Sequence, residues 1–126
     1  MSLSEAAEQK ILVRWLRSRG VMFFSVPNEG KRSYRQATHL KAMGLTPGVP
    51  DLIIVTMARD KPNTAGYEIP LVVCVELKSA KRKTARDGGL SPEQRTWHKA
   101  AAKHGWHVVV AYGAKDAVAQ LADLGY

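Results

Sequence analysis

A chain of 126 residues with 45% hydrophobic content is long enough to build one domain, residues 1–126, around a single core. Its formal charge of +8 and pI near 9.9 point to a polyanionic partner, nucleic acid or an acidic membrane surface. One cysteine, Cys74, excludes a disulfide framework and a cysteine-rich zinc site, and the lack of a long apolar run or leader pattern predicts a soluble, cytoplasmic protein that does not enter a membrane.

Residues 3–19 carry a helical pattern, with Ile11, Leu12, Trp15 and Leu16 on one stripe and Gly20 as the stop. Glu5 and Glu8 project from the edge of that stripe. Ser2-Leu3-Ser4-Glu5 fits a capping box, and Glu8 fits a solvated neighbour of Lys10 or Arg14. Residues 21–26 read as a first strand, closed by the turn composition Pro27-Asn28-Glu29-Gly30. The segment 31–47 holds Lys31, Arg32, Arg35, His39 and Lys41 and no acid, with room for a short helix around 34–43. It suits phosphate contacts, and equally a solvated loop.

Pro50 opens a second strand at 51–57, since proline does not sit in the middle of one. The polar connection that follows suits a hairpin better than a helical crossover, so this strand and the apolar run Leu71–Lys78 are expected to be antiparallel neighbours. That pairing brings Asp51, at the start of one, toward Glu76, near the end of the other. Alternation puts Glu76 and Lys78 on one side of the strand and Leu77 on the other. Beyond Lys78, the cations Lys81, Arg82, Lys83 and Arg86 and then Asp87-Gly88-Gly89 predict a mobile basic loop with a flexible hinge. Ser91-Pro92-Glu93-Gln94 is a strong helix start, and the helix runs to about His104, burying Trp97 and Ala101. A last strand at 107–112 and a closing helix at 114–124, with Val118, Leu121 and Leu124 inward, complete the chain. Cys74 falls inside the third strand as a buried small hydrophobe.

Two acids and a lysine converging on one sheet edge can hold a hard divalent metal against a phosphate. By spacing alone, Glu76 and Lys78 also fit an ordinary polar strand exit, with Asp51 a turn residue. The four histidines show no ligand spacing and read as surface or packing residues. No GxGxxG or GxxxxGK[ST] motif is present, which argues against a nucleotide cofactor.

Taken in order, Ser4-Glu5…Gln9, Asn28-Glu29-Gly30, Gly48-Val49-Pro50-Asp51-Leu52, Val75-Glu76-Leu77-Lys78 and Leu90-Ser91-Pro92-Glu93-Gln94 resemble the VRR-NUC domain of the PD-(D/E)XK nuclease superfamily. Leu77 stands where the family often has valine, and the 58–70 connection is longer than usual. The resemblance implies an α/β, restriction-endonuclease-like αβββαβ core, with a mixed central sheet flanked by helices. It implies a metal-dependent, structure-specific DNA endonuclease in which Asp51, Glu76 and the backbone carbonyl of Leu77 hold Mg²⁺ or Mn²⁺. Lys78 would orient or deprotonate the attacking water, and Glu5 rather than Glu8 would be the helical carboxylate. Gln94 rises from cap to site residue, two roles expected to compete. Lys31, Arg32, Arg35, Lys41, Lys81, Arg82, Lys83 and Arg86 would contact DNA. Stand-alone members of this size, some of them phage-encoded, imply a homodimer acting on four-way junctions, with Leu3, Val13, Tyr67 and Ile69 as candidate interface residues. The alternatives are a flap or nicking nuclease, a restriction-type enzyme, and a non-catalytic DNA-binding or assembly module.

Overall fold

The structure is a computed structural model that describes residues 3–27, 33–55 and 72–126. Asn28-Glu29-Gly30, Lys31, Arg32, Tyr67 and Ile69 lie outside the described residues. Within them the order is α1 (Glu5–Ser18), β1 (Phe23–Ser25), α2 (Tyr34–Ala42), β2 (Leu52–Ile54), β3 (Val73–Lys78), α3 (Pro92–Lys103), β4 (His107–Tyr112) and α4 (Ala114–Asp123), with two short 3₁₀ helices, Ala80–Thr84 and Arg86–Gly89, between β3 and α3. The four strands form one mixed sheet in the order β1-β2-β3-β4. The first three are antiparallel neighbours, and β4 lies parallel to β3 after the crossover through α3.

The register Leu52↔Val75 sets Asp51 beside the end of β3, as the hairpin reading expects. β1 is shorter than the expected 21–26, although Val26 and Val55 continue the backbone pairing, donating to Asp51 O and Met22 O. The end of the expected second strand and the 58–70 connection lie outside the described residues.

Three of the helices start at a serine cap. Ser4 caps α1 by accepting from Ala7 N–H, which makes Glu5 the first helical residue and corrects the capping-box reading of Ser2-Leu3-Ser4-Glu5. Ser33 with Gln36 and Ser91 with Gln94 form complete capping boxes at α2 and α3.

The core lies on one face of the sheet. Leu52, Ile54, Val73, Val75 and Leu77 pack there against Leu12 and Leu16 of α1 and Ala117 and Leu121 of α4. Ile11, expected on the inner stripe of α1, is exposed instead. The alternate residues of β3, Cys74, Glu76 and Lys78, face the other side, toward α3. Cys74 is fully buried, and burial pushes its thiol up to about 11, consistent with a packing role.

The 80–89 segment is not an open hinge. Arg82 Nη2 donates to Gly89 O at 3.1 Å, and Tyr112 OH donates to Gly88 O at 2.8 Å. Arg95 holds Asp87 at 3.1 Å. Gly88, at φ 63°, passes so close that a Cβ would overlap the Tyr112 hydroxyl. A glycine pair that reads as flexible in sequence is here the condition for close packing.

Candidate active site

The sheet ends in a cleft of about 480 Å³ whose lining includes Glu5, Lys41, Asp51, Glu76, Leu77, Lys78 and Gln94. Several elements build it. β2 and β3 deliver Asp51 and Glu76 side by side because antiparallel pairing joins one strand's start to the other's end. α3 sets Gln94 over Lys78. The wall formed by residues 45–49 closes against the N-terminus of α3, where a side chain on Gly48 would overlap the Glu93 carbonyl.

Asp51 Oδ2 accepts from Leu77 N–H at 2.8 Å. Even so, its carboxyl is pushed up to about 7, first by burial, then by the hydrogen bond to Glu76 and the charge of Glu76. The Leu77 N–H and the Lys78 ammonium oppose that rise. Glu76 is 2% exposed. Asp51 is half-buried, and a hydrogen bond between the two carboxyls needs a proton on one of them.

Lys78 C=O accepts from Gly113 N–H on the β4 side. The neighbouring Leu77 carbonyl, by strand alternation, therefore points the other way, toward Asp51. Two carboxylates and a carbonyl are hard oxygen donors, and the crowding of the acid pair is relieved by a divalent cation, so the residues present fit Mg²⁺ or Mn²⁺. Among the described residues there is no group of three or more His, Cys, Asp and Glu side chains suited to a metal, so the donor set depends on the backbone.

Gln94 Oε1 accepts from Ser91 N–H at 2.9 Å and from Lys78 Nζ at 3.1 Å. The two lone pairs of one oxygen serve the cap and the site together, so the expected conflict between these roles does not arise. The helical glutamates separate cleanly. Glu8 Oε2 accepts from Ala114 N–H at 2.6 Å and so caps α4, whose own N-cap, Gly113, has no side chain to do it. Glu5 is exposed and lines the cleft.

His98, read as a surface or packing residue, packs inside beside Glu76. Its Nε2 lies 3.5 Å from Glu76 Oε1, with only 11% of the side chain exposed. Burial, then Lys78, lowers its pKa, so a neutral imidazole stands against the carboxylate. The available signal was its place one helical turn after Gln94, on the same face.

Of the basic residues, Lys41 lines the cleft, and Lys81 and Arg82 line an adjoining hollow with Glu5 and Lys78. Arg35, Lys83 and Arg86 are exposed and do not line the cleft, and Arg82 also folds the 80–89 segment.

A model of the VRR-NUC domain matches residues 3–115. A solved structure described as a VRR_NUC domain protein superposes with a TM-score of 0.68 at 21% identity, covering 98% of this chain and 89% of that one. No curated protein matches the sequence.

Proposed function

The chain belongs to the VRR-NUC family, a nuclease domain of the PD-(D/E)XK type whose substrate is DNA, and from that premise we propose that it is a Mg²⁺- or Mn²⁺-dependent, structure-specific endonuclease. The observation that carries the reading is the hydrogen-bonded pair of the half-buried Asp51 and the buried Glu76, lining an open cleft with Lys78 beside it. Asp51, Glu76 and the Leu77 carbonyl would hold the cation, which when bound would polarise a phosphate oxygen and make a water more acidic. As a ligand Asp51 would be ionised, its proton passing to solvent, and the Leu77 N–H keeps its carboxylate oriented.

Lys78, fixed by Gln94, places a positive charge where negative charge builds on the scissile phosphate and orients the attacking water. Glu5 reaches the same space from α1 and positions a further water. Lys41 and Lys81 bind backbone phosphates on either side.

We further propose that branched DNA, above all the four-way junction, is the substrate, and that the enzyme works as a homodimer. The cations at the cleft, Lys41 and Lys81, suit phosphate contacts, which carry no base information and so favour recognition of shape. A junction has approximate two-fold symmetry and needs two matched cuts, which one pocket per chain supplies only through an isologous pair.

The test is cleavage of matched duplex, flap, splayed-arm and four-way-junction DNAs with Mg²⁺, Mn²⁺ or EDTA, alongside light scattering. Symmetric junction cuts by a particle of about twice 13.9 kDa are expected. A monomer that nicks flaps moves the assignment to a flap nuclease, and undiminished cleavage in EDTA rejects the metal.

A further inference from the structure

A second groove, of about 530 Å³, runs from the cleft along α1. It shares Glu5, Asp51 and Leu77 with the cleft and continues past Lys10, Arg14 and Arg17. Spacings of four and then three residues put the three cations on one helical stripe. At 1.5 Å per residue, α1 carries that stripe about 18 Å from Glu5 to Arg17. We infer that this groove holds the phosphodiester backbone of the cleaved strand as it leaves the active site, a basic track separate from those at 31–41 and 81–86. The inference rests on the nuclease reading.

A solvated helix face does not account for the stripe well. No acid follows Glu8 in α1, and among the described residues none of the three cations forms an ion pair. Like charges four and three residues apart repel on a helix, so the free protein carries a small cost that a polyanion removes. The helix dipole favours Arg17, in the last turn, but its influence fades before Arg14 and Lys10. The groove also opens directly onto Asp51, so a strand with its phosphate at the acid pair meets this stripe next.

The experiment compares R14Q/R17Q with K99Q/K103Q, an equal loss of charge on α3, across the sheet from α1. Binding of fluorescein-labelled four-way-junction and flap DNA is measured in Ca²⁺, without Mg²⁺, over a range of salt. The slope of log affinity against log salt is expected to fall by roughly 0.7–0.9 per lost contact in R14Q/R17Q and to hold in K99Q/K103Q. Melting curves establish that both variants are folded.

An unchanged slope in R14Q/R17Q, an equal fall in both variants, or no DNA binding by the wild-type chain overturns the inference. The nuclease reading is judged separately. Cleavage in Mg²⁺ with an unchanged R14Q/R17Q slope rejects the groove alone. A lowered slope in R14Q/R17Q, in a protein that cuts nothing with any divalent metal, rejects the nuclease reading alone.

Discussion

The two faces of β3 are made from alternate residues of one six-residue strand, and they carry different physics. Val73, Val75 and Leu77 sit in an apolar core between α1, α4 and the sheet. Cys74, Glu76 and Lys78, one residue out of phase, meet α3, which presents Gln94 and His98. On the first face, burial stabilises the fold at about 25 cal/mol per Å² of apolar surface. On the second, burial works against the groups it covers, raising the carboxyl of Asp51 and lowering the imidazole of His98. The domain couples an apolar face that holds it together to a polar face where burial brings acids, a lysine and an imidazole against one another.

The sharpest way to separate the faces is to change one at a time. Asp51→Asn or Glu76→Gln should lower DNA cleavage to below about one-thousandth, roughly 4 kcal/mol of transition-state stabilisation, at an unimpaired melting temperature. Quantitative gel assays beside thermal melts check both halves. On the other face, Leu121→Ala removes a fully buried side chain and should cost about 2–5 kcal/mol in urea unfolding. Its cleavage rate per folded molecule should stay near that of the wild type.

The secondary-structure elements were largely legible in the sequence, although Ile11 was misplaced on the apolar stripe of α1. β4 spans the expected residues, α3 begins at its capping box, and α2 lies within the short helix expected there, because periodicity and cap chemistry are local signals. The polar face was legible where motif spacing, strand pairing and the family resemblance reached, at Asp51, Glu76, Lys78 and Gln94. His98 was not, because its meaning depends on which way α3 turns over the sheet. The capping of α4 by Glu8 joins residues 106 apart, through a glycine that signals nothing itself. The 80–89 segment misled for a related reason: Gly88 and Arg82 look mobile until Tyr112 and Gly89 are placed against them.

The two helical glutamates extend the contrast on a smaller scale. Glu8→Ala should lose a cap, about 0.5–2 kcal/mol, and keep most of its cleavage. Glu5→Ala should do the reverse, with stability within about 0.5 kcal/mol and a reduced rate. A reversed pattern would exchange their roles.

A gentler probe is pH. Asp51 in the folded, metal-free protein holds its proton to about 7, while the unfolded chain releases it near the ordinary 3.8. Between these values the folded state binds more protons, so the contribution of Asp51 to stability is full at low pH and is lost as pH rises through that window. Metal-free unfolding curves at several pH values should show this decline, and Asp51→Asn should flatten it. Added Mn²⁺ should restore stability at the upper end, where it displaces the proton.

Calorimetric titration of Mn²⁺ into the protein just below neutral pH, in buffers of different ionisation enthalpy, tests most directly whether the acid pair is a cation site. One site per chain, with proton release that varies the heat between buffers, is expected for the wild type, and none for Asp51→Asn. Equal Mn²⁺ affinity in the two proteins, or no binding by the wild type at millimolar metal, would place the cation elsewhere and leave the Asp51–Glu76 pair without its role.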